Sequence, residues 1–205
     1  MLAGLIGCSE TQELFPGPGR AGADGSSTPA SEFHLVSVGA NAQVDRTGTV
    51  NGLGAAIILK DERVLYWGNG GEAAGRGFSV AVVDPETLDL QGAVQSFDTY
   101  STRQTGAGEA ARLGVFLQGV AEGMLVLLVV GDDAGLTYGE DRTCIFFEDA
   151  STQRVLDLLV GLGSRHIREY CYRASWAMAA YQGFGRAEAE ALADGSPAHV
   201  VFRAE

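Results

Sequence analysis

The residues that most limit the fold of this chain are 124–130, MLVLLVV, a run with no polar side chain that ends abruptly at Gly131, Asp132 and Asp133. Successive side chains of a strand point to opposite faces, so a strand without a polar position must be covered on both. The run is far too short to cross a bilayer as a helix, which takes about 20 apolar residues. It therefore predicts an interior strand with packing on each side, and the two carboxylates mark where that burial stops.

The neighbouring segments supply the covering layers. FHLVSVGAN from Phe33 alternates as a strand, and residues 55–59 and 64–67 flank the polar turn 60–63 as a hairpin. An apolar strand at 78–83 turns on Asp84-Pro85 and returns to end at Phe97. Ala111, Val115, Leu117 and Val120 then change to helical spacing, predicting a helix of about a dozen residues that Gly123 can stop. Val155, Leu156, Leu159 and Leu162 form the clearest helical stripe, with Gly163 where a left-handed C-terminal residue belongs. HIREYCYRASWAMAAYQG reads as a further strand or two, RAEAEALADG as a short helix and AHVVFRA as a last strand. The expected class is α+β, a compact mixed sandwich of two β-sheets flanked by about three helices. Residues 33–205 form that domain, and 1–32 form a linker-like N-terminus.

Charge and motif content remove several functions. A net charge of −12 opposes binding to nucleic acid or an anionic membrane surface, both of which select basic proteins. Of fourteen basic side chains only Lys60 is lysine, a bias read as that of a GC-rich, bacterial genome. The histidines His34, His166 and His199 are scattered, and no G-x-S-x-G, H-E-x-x-H or Walker loop occurs. No metal site and no cofactor are therefore expected. Asp132 and Asp133 could act as an acid/base pair or serve as cap or turn residues, and the residues after them lack the regular oxygen ligands of a calcium loop.

Near the N-terminus, Leu5-Ile6-Gly7-Cys8 resembles the bacterial lipobox, in which the cysteine is lipidated, and residues up to Ser31 are rich in Gly, Pro, Ser and Ala, as a flexible tether requires. Only seven residues, none basic, precede Cys8. Either Met1 is an internal start of a longer precursor or the match is fortuitous. Lipidation at Cys8 would make the membrane a partner through the anchor alone. Cys144 and Cys171 are expected to bridge in an oxidising compartment and to remain two buried thiols in a reducing one.

A set of motifs in order, GRGFSVAVVDP, QSFDTY, VGDDAG, VGLGS and YRASWA, resembles the interleukin-like EMT inducer domain. That domain occurs in secreted cytokine-like proteins and in the stem of the protein O-mannose N-acetylglucosaminyltransferase. The resemblance implies two sheets flanked by helices around a polar cavity, without catalytic machinery, binding a β-linked N-acetylglucosamine in the stem domain. Carried over by motif, the ligand-binding positions are Arg76, Asp132 and Arg173, with Trp67, Tyr100, Asp133 and Trp176 as secondary candidates. Ala134 and Ala174 depart from the family pattern beside them. Two arginines and an aspartate suit vicinal hydroxyls and an acetamide carbonyl, which need planar donors and a carboxylate acceptor. The same three residues could instead form a structural salt-bridge network. The expected function is a non-catalytic carbohydrate-binding domain of an extracytoplasmic protein, with a glycan as partner. The rival readings are a protein-interaction module with a purely structural cavity and an enzyme built on the Asp132 and Asp133 pair.

Overall fold

A computed structural model describes residues 30–42, 54–69, 75–100, 108–138 and 144–204. Cys8 and the tether lie outside them. Strands β1 (Ser31–Gly39), β2 (Ala55–Lys60), β3 (Arg63–Asn69), β4 (Gly77–Val83) and β5 (Gln95–Phe97) precede helix α1 (Glu109–Gly119). Then come β6 (Leu125–Asp132), β7 (Thr137–Tyr138), β8 (Ile145–Phe146), helix α2 (Ala150–Gly161), β9 (Ser175–Tyr181), β10 (Ala187–Ala193) and β11 (Ala198–Ala204). A 3-10 turn at Ile167–Glu169 links α2 to β9. No helix among the described residues is long and apolar enough to cross a membrane.

The apolar run is β6, and both of its faces are buried. Val126, Leu128 and Val130 pack with Leu113 and Leu117 of α1, Val155, Leu156 and Leu159 of α2, and Trp176 and Met178 of β9. Leu125, Leu127 and Val129 face a second cluster containing Phe33, Leu35, Ile58, Val200 and Phe202. The architecture is thus helices on one face of a β10-β9-β6-β4-β5 layer, with a β3-β2-β1-β11 layer on the other. On the outer side of that second layer stand Glu32, His34 and Val36 of β1 and His199, Val201 and Arg203 of β11, alternating with the buried residues.

The two β-layers are one continuous sheet that forks at the end of β6, instead of two separate sheets. Leu125 to Val129 pair antiparallel with β9, after which β1 takes over in parallel at Gly131 and Asp132. Strand separation at such a fork strands backbone groups that must find partners. The buried Ser37 hydroxyl supplies them: it donates to the Val130 carbonyl at 2.5 Å and accepts from the Trp176 N–H at 2.8 Å. A separate small sheet is made by the β7–β8 hairpin.

Helix α2 is capped as its sequence suggests. The Asp149 side chain accepts from the Ser151 and Thr152 N–H groups, and Gly163, at φ 105°, follows the last turn. Helix α1 stops at Gly119, and Gly123 lies beyond it in the turn into β6. The predicted short helix at RAEAEALADG is strand β10, so the described residues hold two α-helices where about three were expected. Ala, Glu and Leu favour helix in isolation, but pairing with β9 overrides a preference worth only tenths of a kcal/mol per residue. Glu190 has a specific task there: its carboxylate accepts from the Trp176 indole N–H at 2.8 Å, the Arg165 N–H at 2.7 Å and the Ser164 hydroxyl.

Candidate functional site

The fork brings three sequence-distant segments together: the end of β6, the residues before β9, and the loop-to-strand junction before β4. Close approach is possible because glycines line it. A side-chain carbon on Gly39 would lie 2.3 Å from the Arg173 carbonyl oxygen, and one on Gly131 would lie 2.0 Å from that of Gly75. The backbone is cross-linked here, with the Ala40 N–H donating to the Asp132 carbonyl at 2.8 Å and Asn41 N–H to that of Arg173 at 3.1 Å. Asp132 and Arg173 both take left-handed conformations, φ 60° and 61°. Non-glycine residues adopt these rarely, and they cluster at functional positions.

Arg76 is held by a carboxylate that the sequence reading passed over. Its Nε donates to Asp98 Oδ1 at 2.8 Å and its Nη2 to Oδ2 at 2.6 Å, a bidentate pair with the Asp98 side chain 9% exposed. The same guanidinium lies 5.0 Å over the Tyr100 ring. Across the site Arg173 lies 5.0 Å over the Tyr172 ring, and the Tyr172 hydroxyl shares a hydrogen bond with Tyr100. The result is a chain of contacts running from Arg76 through Tyr100 and Tyr172 to Arg173. Burial and the Tyr100 bond push the Tyr172 phenol up to about 12, so it stays protonated.

Asp132 sits between the arginines. Burial raises its carboxyl above the ordinary range, while the Arg173 and then the Arg76 charges pull it down and the Asp98 charge pushes it up. Its Oδ1 is buried with no hydrogen-bond partner among the described residues. An acceptor of this kind costs free energy until a donor reaches it. Asp133 is different in every respect. It is fully buried, its Oδ1 accepts from the Gly135 N–H at 2.5 Å and its Oδ2 from the Arg173 N–H at 2.9 Å. Burial pushes its carboxyl up to about 7 against those two bonds. Asp133 therefore fastens the loops from a fully buried position.

The candidate set is brought together in part. Arg76, Asp132, Arg173 and Tyr100 share the site; Trp176 does not, being fully buried edge-on to Phe78 at a centroid distance of 6.0 Å. Trp67 stands 65% exposed on the outer face of β3, opposite Ile57 of β2. Asp98 and Tyr172 were missed, although each lies inside a quoted motif, Asp98 in QSFDTY and Tyr172 at the head of YRASWA. Cys144 and Cys171 form a disulfide that ties the start of β8 to the segment carrying Tyr172 and Arg173. No three His, Cys, Asp or Glu side chains gather closely enough to hold a metal among the described residues.

The model of the interleukin-like EMT inducer family matches residues 76–184, more than half of the chain. The chain belongs to the interleukin-like EMT inducer family. Among its relatives, Protein FAM3A of Homo sapiens and of Pongo abelii are 27% identical over 137 residues, and that of Mus musculus is 26% identical. The alignments cover 67% of this chain and 50% of each relative, so the chain spans about half the length of these proteins. Within this interleukin-like EMT inducer domain, Arg76, Asp98, Asp132 and Arg173 all fall inside the matched span.

Proposed function

We propose that the domain is a non-catalytic recognition module whose ligand is a carbohydrate bearing vicinal hydroxyls and an acetamide, such as a β-linked N-acetylglucosamine. The observation that carries this reading is the buried Asp132 Oδ1, without a hydrogen-bond partner among the described residues and set between two arginine side chains whose positions are fixed over tyrosine rings. A sugar hydroxyl donates to such an oxygen, and guanidinium N–H groups donate to neighbouring hydroxyl and carbonyl oxygens. Fixing the arginines beforehand lowers the entropy lost on binding.

Glycan-array screening followed by calorimetry on the best glycan tests the reading. Arg173→Ala should weaken binding by roughly 10- to 100-fold, the worth of one or two hydrogen bonds to a charged group, with the fold retained by circular dichroism. Binding to no glycan, or unaltered binding in a folded Arg173→Ala protein, would favour the rival reading of a protein-interaction module. The bidentate Arg76–Asp98 pair is the feature that suits that rival, since it already satisfies one guanidinium internally.

The disulfide fits an oxidising, extracytoplasmic setting. Anchoring through Cys8 is the corresponding reading of the N-terminus. Labelled palmitate should enter a bacterially expressed full-length precursor and be absent from its Cys8→Ala variant; equal labelling of both, or of neither, would remove the anchor.

A further inference from the structure

The outer face of the β1–β11 ladder carries a cluster that the site above does not use. His34 and His199 are diagonal neighbours across the ladder, since His34 pairs with Val201 and Val36 with His199. Their rings are near-parallel, 23° apart with centroids at 5.3 Å, and His34 Nδ1 lies 3.1 Å from His199 Nε2. On its other side, His34 Nε2 lies 2.8 Å from Glu32 Oε1, and Glu32 Oε2 accepts from Arg203 Nε at 2.6 Å.

Glu32 is paired with the Arg203 guanidinium and is ionised at neutral pH, as an ordinary carboxylate is. An ionised carboxylate can only accept, which places a proton on His34 Nε2 and turns Nδ1 toward His199 Nε2. One proton lies between those two nitrogens. The arrangement Glu32–His34 reproduces the carboxylate that orients a metal-ligating imidazole from behind. Two imidazole nitrogens 3.1 Å apart subtend about 100° at a metal bonded to each at ~2.0 Å, between the square-planar and tetrahedral angles.

We propose that His34 Nδ1 and His199 Nε2 form a two-histidine site for a first-row divalent transition metal, tightest for Cu²⁺, with solvent completing the coordination. As the metal takes its place, the proton held between the two nitrogens moves to His199 Nδ1, so no proton leaves the pair. Copper is preferred because a cis pair of nitrogens with oxygen ligands suits its tetragonal geometry and because it heads the affinity order of these metals. His34 is held on rigid β1 and His199 on β11, so the site also pins the last strand to the first.

Full-length chain carrying Cys8→Ser, which removes a competing thiol, is titrated with Cu²⁺ at pH 7.5 and followed by electron paramagnetic resonance. One equivalent should bind with superhyperfine structure from two nitrogens. His34→Ala and His199→Ala should each lose the two-nitrogen signal and at least 10-fold in affinity, Glu32→Gln should lose about 10-fold while keeping the signal, and His166→Ala should change neither. A two-nitrogen signal persisting in folded His34→Ala or His199→Ala protein, its loss in His166→Ala, or no binding below millimolar copper would each overturn the proposal.

Discussion

Opening the Cys144–Cys171 bridge lowers the stability of the domain by about 3.5 kcal/mol, the chain entropy returned to an unfolded loop spanning 27 residues. The effect reaches the site because the bridge ends two residues before Arg173, whose backbone is held left-handed. On the folded side, the restraint joins the short β7–β8 hairpin, two residues in each strand, to the segment that presents Tyr172 and Arg173. Urea denaturation with and without dithiothreitol measures it. The midpoint should fall on reduction in the wild type and stay fixed in a Cys144→Ser, Cys171→Ser double variant. An unchanged midpoint in protein whose bridge is shown open by thiol titration would mean that neighbouring contacts, and not the cross-link, order this segment.

How far the sequence disclosed this arrangement depends on the range of the interactions involved. Strand β6 and helix α2 were legible because each is dictated by its own side-chain pattern, an unbroken apolar run in one and a 3.6-residue stripe with an Asp cap and a Gly stop in the other. Strand β10 was misread because its Ala, Glu and Leu favour helix, although the strict Ala-Glu alternation over 187–190 already carries a period of two. The fork was not legible. Ser37 and Gly39 look like ordinary strand residues, and only the divergence of β6 from β9 makes a hydroxyl necessary at one and the lack of a side chain at the other. In the candidate site, motifs single out Arg76, Asp132 and Arg173, whereas the motif holding the partner of Arg76 does not mark it out. Asp98 follows a buried phenylalanine in a short strand-to-turn segment, a position where an aspartate is usually a turn residue.

Stability should fall as the pH rises from about 4 to 7, because Asp133 holds its proton more tightly in the folded chain than in the unfolded one. The ordinary carboxyl titrates near 3.8 and the folded one at about 7. Below the lower value both states are protonated; between the two, only the folded state keeps its proton, and that advantage is lost through the upper value. The interval corresponds to roughly 4 kcal/mol at 1.36 kcal/mol per pH unit. Burial outweighs the two N–H donors of Gly135 and Arg173, which by themselves favour the charged form. Asp133→Asn removes the titration, so the stability of the wild type relative to that variant should drop by about this amount between pH 4 and pH 7.5, measured by urea unfolding. A difference that stays constant over the range would mean that the two backbone donors and the Arg173 charge hold the carboxylate ionised in spite of its burial. The same titration changes the loops at the site. Above the folded value the Gly135 and Arg173 bonds become charge-assisted and stronger, so the backbone carrying Arg173 is most firmly held under the conditions in which the buried charge costs the fold most.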